Sequence, residues 1–153
     1  MYVIDASVYV ADIRPSEPHH SEARAFLDHV RGGGEIAYAP IIVLAEVAGG
    51  ISRGTGQPGL ARRLIGLLRR VPNFVFVPVE ETLGQQAAEI AAGRQIRGCD
   101  SVYVALAGQL GATLITLDGE QRQRAPASVI AQTPSEALSV IAARDADPSS
   151  QSP

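Results

Sequence analysis

The chain has 153 residues, 46% of them hydrophobic and 19% charged, which suffices for one domain with a substantial core but not for two ordinary ones. All thirteen basic residues are arginines, so chemistry that needs a lysine, such as a phosphate-loop lysine or a Schiff base, is excluded. The single cysteine, Cys99, excludes an internal disulfide and a thiolate-rich zinc site, and the net charge of −3 argues against indiscriminate nucleic-acid binding while leaving a local basic face possible.

In chain order, MYVIDAS opens with a strand-like segment rather than a basic, then apolar, leader. No apolar run reaches the ~18 residues of a membrane span, so a cytoplasmic protein with no membrane partner is expected. YVID (2–5) reads as a short buried strand, followed by ASVYVAD, and Pro15, Ser16 and Pro18 mark a turn. Helical periodicity over 19–31 ends at a run of glycines, and EIAYA (35–39) is a second strand. Pro40 suits the first turn of a helix holding 41 to about 53. From 60 to 70, Leu60, Leu64, Leu67 and Leu68 share one face of an amphipathic helix, with Arg62, Arg63, Arg69 and Arg70 opposite.

FVFVPV (74–79) is a third strand and 82–94 another helix. CDSVYVALAGQLG (99–111) is a helix with Gly111 as its stop, TLIT (113–116) a fourth strand, SVIAQ (128–132) a weak fifth, and 134–143 a last helix. One domain over 1–143 is expected, with a disordered tail over 144–153. Strands alternating with helices imply an α/β fold whose parallel sheet is covered on both faces and binds ligands beyond its carboxyl strand ends.

Two familiar motifs occur without their context. GISRG (50–54) fits the nucleophile elbow of serine hydrolases, but it lies at the end of a helix, and His19, His20 and His29 all precede the serine. GTGQPG (54–59) fits a dinucleotide fingerprint, with Glu80 at about the spacing of a ribose-binding acid. That fingerprint needs a strand running directly into its first glycine, and here AGGISR intervenes. A loop between helices explains these glycines more simply than a Rossmann-type nucleotide-binding domain.

Four carboxylates sit in apolar company. Asp5 ends the first strand, Glu46 lies in IIVLAEVAGG, Asp100 starts an otherwise apolar helix, and Asp118 follows the fourth strand as ITLD. Asp5 could cap a helix, Asp100 could favour a helix dipole, and Asp118-Gly119 is a common turn pair. Glu46, read as more than a turn inside its helix, has no such role. Should the four converge, each like-charge pair at ~4 Å would cost about 4 kcal/mol at an effective dielectric of ~20. Several such pairs would rival a domain's whole stability of about 5–15 kcal/mol. Such a site takes up protons or binds a hard cation, and oxygen-only ligands favour Mg²⁺ or Mn²⁺ over zinc.

VIDAS, LAEV, CDSVYVALA and LITLD, in this order, resemble the motifs of a PIN domain, with the closest likeness to VapC-type toxins of bacterial toxin–antitoxin pairs, from Tyr2 to about Leu138. The resemblance implies a three-layer α/β/α fold around a parallel sheet of five strands. It implies a metal-dependent endoribonuclease, the toxin of a type II toxin–antitoxin pair, that leaves a 5′-phosphate and a 3′-hydroxyl. By matching positions, Asp5, Glu46, Asp100 and Asp118 would be the acidic quartet that holds Mg²⁺, and Ser7 and Thr116 its hydroxyl neighbours. The family often carries another acid and an aromatic residue soon after the last aspartate, where this chain has GEQRQRAP, which puts a supporting role for Glu120 in doubt. RNA as substrate, an antitoxin and a homodimer follow from the same resemblance. The alternative is a catalytically silent PIN module that binds RNA or a protein partner.

The remaining candidates read as structural. The arginines of 62–70 form a solvated face, with Arg14 and Arg53 nearer the expected site. The three histidines lie on one surface helix, and Cys99 is expected to be a small buried packing residue.

Overall fold

The structure, a computed structural model, describes residues 1–33 and 35–146. Its centre is a five-stranded parallel sheet of order β3-β2-β1-β4-β5, with β1 Tyr2–Ile4, β2 Ala37–Pro40, β3 Phe74–Val77, β4 Thr113–Ile115 and β5 Ala131–Gln132. Tyr2 pairs with Ala37 on one side and Thr113 on the other, so β1 is the middle strand. Val3 and Ile4 beside it are fully buried, as a strand covered on both faces requires.

The crossovers explain the layers. α1 (Ala6–Ile13) and α2 (His20–Arg31) join β1 to β2, and α3 (Val43–Thr55) and α4 (Pro58–Leu68) join β2 to β3. Both steps run the same way across the sheet, so right-handed crossovers place these helices on one face. The return from β3 to β4 runs the other way and carries α5 (Glu81–Arg94) and α6 (Gly98–Leu110) to the opposite face. α6 lies against β1, β2 and β4 and is covered by α5, which is why Ser101 to Ala107 are buried all round the helix. α7 (Gly119–Arg124) precedes β5, and α8 (Pro134–Asp145), started by a Thr133–Glu136 capping box, packs on α2 and β5.

The order in which the chain adds strands reverses between β1 and β4. The carboxyl ends of these two strands therefore form the crevice where such sheets place ligands. Asp5 and Thr116 are the first residues beyond the two strands, and Asp5 N–H donates to Ile115 O at 2.9 Å across the gap.

Several expectations are corrected. Pro40 ends β2 rather than starting a helix, since the strand end tolerates its missing N–H, and Ile41 N–H bonds Val77 O at 2.8 Å. α3 thus begins at Val43, so Glu46 lies in its first turn instead of deep inside. α4 stops at Leu68, leaving Arg69 and Arg70 beyond it and Leu67 60% exposed. α7 was not anticipated, and His19 precedes α2. GISRG lies within α3 and GTGQPG spans its end and the start of α4, so no strand enters either motif. α8 runs two residues past 143, and the expected tail from 147 onward lies outside the described residues.

Candidate active site

Asp5 forms the floor of the crevice. It is 5% exposed and N-caps α1 by accepting from Ser7 N–H at 3.0 Å. The same oxygen, Oδ2, also accepts from the hydroxyls of Ser7 and, at 3.3 Å, Thr116, which is itself fully buried. These hydroxyls tie the two central strand ends together. Ser7 Oγ accepts from Leu117 N–H at 3.1 Å, and Thr116 Oγ1 from Asp118 N–H at 3.0 Å. Asp118 N-caps α7, its Oδ1 accepting from Glu120 N–H at 2.7 Å and Gln121 N–H at 3.0 Å. Capping and clustering are therefore compatible: both aspartates cap helices that start at the same crevice.

Glu46 reaches it from α3. The helix approaches α1 closely because Gly50 faces Val10, where a Cβ would stand 2.9 Å from Val10 Cγ2. The half-buried Glu46 carboxylate accepts a hydrogen bond from the Tyr103 hydroxyl on α6. Burial raises its pKa, the Tyr103 bond opposes the rise, and the charges of Asp5 and Asp100 add to it. Asp100, in the first turn of α6, is likewise raised by burial and by the charge of Asp5, and further by Asp118, against opposing contributions from Gln121 and Arg97. Tyr103 is fully buried, and burial, Asp5 and its bond to Glu46 keep its phenol protonated. Glu46 thus feels the charges of Asp5 and Asp100, and Asp100 those of Asp5 and Asp118.

Tyr103 and Gln121 are the residues that sequence reasoning missed. Tyr103 follows Asp100 by three positions, the spacing of one helix face, which was the available signal. Gln121 is fully buried within α7 and donates from Nε2 to Asp5 Oδ1 at 3.2 Å. Cys99 is exposed rather than buried, because α6 turns its first residues outward before entering the core. A cavity of about 310 Å³ adjoins Ser7 and Glu46, walled by Val10, Pro18 and Leu117 and edged by Arg53.

The donor set fits a hard divalent cation: the acids supply oxygen only, burial and then neighbouring charge raise the pKa of Glu46 and Asp100, and Gln121 Oε1 is buried without a hydrogen-bond partner among the described residues. Among the described residues, however, no group of three or more His, Cys, Asp or Glu side chains stands in an arrangement that could hold a metal ion. The carboxylates would have to draw together around one.

A parallel α/β domain with an acidic cluster at its switch point is the class that fold and site define. The chain belongs to the PIN domain family, whose model matches residues 2–126. Its fold is similar to that of Mycobacterium tuberculosis VapC20, a toxin described as cleaving the sarcin–ricin loop, with TM-score 0.70 and 18% identity over 85% of this chain and 99% of that one. FitAcB from Neisseria gonorrhoeae gives TM-score 0.65 and 23% identity over 88% of this chain and 98% of its own. A toxin–antitoxin complex from Klebsiella pneumoniae gives 0.62 and 16% over 88% and 98%. A comparison with curated protein sequences found no match. Among the described residues no helix is long and apolar enough to cross a membrane.

Proposed function

We propose that the protein is a divalent-cation-dependent endoribonuclease, hydrolysing RNA phosphodiester bonds to a 5′-phosphate and a 3′-hydroxyl, and that it is the toxin of a type II toxin–antitoxin pair. The observation that carries this reading is that Asp5 and Asp118 cap helices at one crevice, with the charge of Asp5 adding to the burial that raises the pKa of both Glu46 and Asp100. PIN family membership and the described activity of the M. tuberculosis toxin support it.

In this reading the four acids hold Mg²⁺, or Mn²⁺ in its place. A bound cation of this kind lowers the pKa of a water and neutralises charge developing on the phosphate. Ser7 and Thr116 fix the rotation of Asp5, and Tyr103 fixes Glu46. Arg53, which has no ion pair among the described residues, binds an RNA phosphate at the rim of the adjoining cavity.

The partners are an antitoxin and a second copy of this chain, in the cytoplasm. Solved toxin–antitoxin assemblies of similar fold from K. pneumoniae and Rickettsia felis support the first. A groove of about 290 Å³ among α1, α2, α3 and α4, where Leu67 is exposed beside Leu64 and Val71, offers the antitoxin an apolar seat.

A catalytically silent PIN module that binds RNA or a protein is the second reading, favoured by the lack, among the described residues, of three acids in a metal-holding arrangement. Incubating single-stranded RNA with native protein and with Asp5→Asn, in Mg²⁺, Mn²⁺ or EDTA, separates the two. The nuclease reading expects cation-dependent cleavage that the substitution lowers by about 100-fold or more. RNA binding without cleavage in either cation supports the silent module.

A further inference from the structure

Gln121 touches two of the four acids. Its backbone N–H donates to Asp118 Oδ1 at 3.0 Å, and its Nε2 donates to Asp5 Oδ1 at 3.2 Å. The residue is fully buried, and its Oε1 has no hydrogen-bond partner among the described residues. A side chain present only to fill this space would be apolar, because a buried amide must be desolvated.

The two oxygens of Asp5 are unequally held. Oδ2 accepts from Ser7 N–H, Ser7 Oγ and Thr116 Oγ1, whereas among the described residues Gln121 supplies the one donor on Oδ1. Oδ1 therefore keeps a lone pair free for a ligand, and Gln121 sets the direction in which that lone pair points. Because the same residue begins in the Asp118 cap, α7 couples the rotations of Asp5 and Asp118.

We propose that Gln121 is the positioning residue of the acidic cluster: its carboxamide orients Asp5 for the cation, while its backbone N–H holds Asp118. This rests on the metal-site reading above. It assigns Gln121 a role that neither a cap nor a packing residue would have. Hydrogen bonds of this kind to ligating carboxylates typically change metal affinity by about 10–100-fold.

The test is Mn²⁺ binding by electron paramagnetic resonance to native protein and to Gln121→Met, which keeps length and volume but removes the donor. Melting in EDTA serves as the folding control. Gln121→Met is expected to bind Mn²⁺ about 10–100-fold more weakly than native protein. Unchanged affinity would make Gln121 a packing residue and overturn the proposal. Tighter binding would overturn it too, since the amide would then compete with the cation. Native protein that binds no Mn²⁺ would overturn the metal-site reading itself, a distinct failure. Should Gln121→Met not fold, proton exchange of the Gln121 side-chain amide in ¹⁵N-labelled native protein decides. A positioning donor stays protected on adding Mg²⁺, and a displaced one begins to exchange.

Discussion

Tyr103 on α6 donates its hydroxyl to the carboxylate of Glu46 on α3, joining helices that lie on opposite faces of the sheet. This bond accounts for a charged residue in the apolar stretch IIVLAEVAGG of a chain without lysine. The phenol favours the ionised carboxylate that burial and the neighbouring acids disfavour.

Tyr103→Phe removes that donor and keeps the ring. In EDTA at pH 8 the loss is expected to be about 1.5–3 kcal/mol by urea unfolding, the range for hydrogen bonds to charged groups. It should be smaller at pH 5, where more of Glu46 is protonated and the ionised form matters less. An equal loss at both pH values would separate the Tyr103 bond from the charge of Glu46.

Metal-free stability should also depend on pH in a defined direction. Folded Glu46 and Asp100 have pKa values above their ordinary 4.5 and 3.8, so the folded state binds more protons than the unfolded state between those limits. Their contribution to stability therefore falls as pH rises through the raised values and is recovered as pH is lowered toward the ordinary ones. Glu35 acts oppositely: burial works against ionisation, but hydrogen bonds from Arg144 and the N-terminal ammonium outweigh it and lower its pKa. Its contribution is lost as pH falls below 4.5. Melting in EDTA across pH 4–8 is expected to show a maximum on the acid side, and saturating Mg²⁺ to remove the decline toward pH 8.

The acids were legible as carboxylates in apolar company, but that criterion alone does not define a metal site. Asp12, in VYVADI, meets it equally and is 3% exposed, yet Arg24 and Arg31 of α2 pair with it. The parallel sheet, with its carboxyl strand ends as the ligand edge, followed from alternating strands and helices, whereas the order that sets β4 beside β1 did not. The partners Tyr103 and Gln121 depend on how α3, α6 and α7 meet, which no local pattern encodes. α7 itself, GEQRQR, has no apolar periodicity and starts where Asp118 caps it. Pro40 satisfied the preference for a first helical turn, but pairing of β2 with β3 claimed it.

Arg53→Ala tests the RNA path. Removing one phosphate contact is expected to weaken binding of single-stranded RNA at low salt severalfold and to reduce the salt slope by about 0.7, the single-strand value per contact. Stability should change little, because Arg53 has no ion pair to lose among the described residues. Fluorescence anisotropy in EDTA over a salt series measures both quantities.

The central claim, that the four acids form one cation site, is tested most directly by melting native protein and Asp100→Asn in EDTA, Mg²⁺ and Mn²⁺. Native protein should gain melting temperature with either cation. Asp100→Asn should melt about 2–4 °C higher than native protein in EDTA, corresponding to about 1 kcal/mol of relieved repulsion, and should lose the response to cation. A native melting temperature indifferent to both cations, with Asp100→Asn no more stable than native protein, would contradict the claim and leave Asp100 a helix-terminal charge.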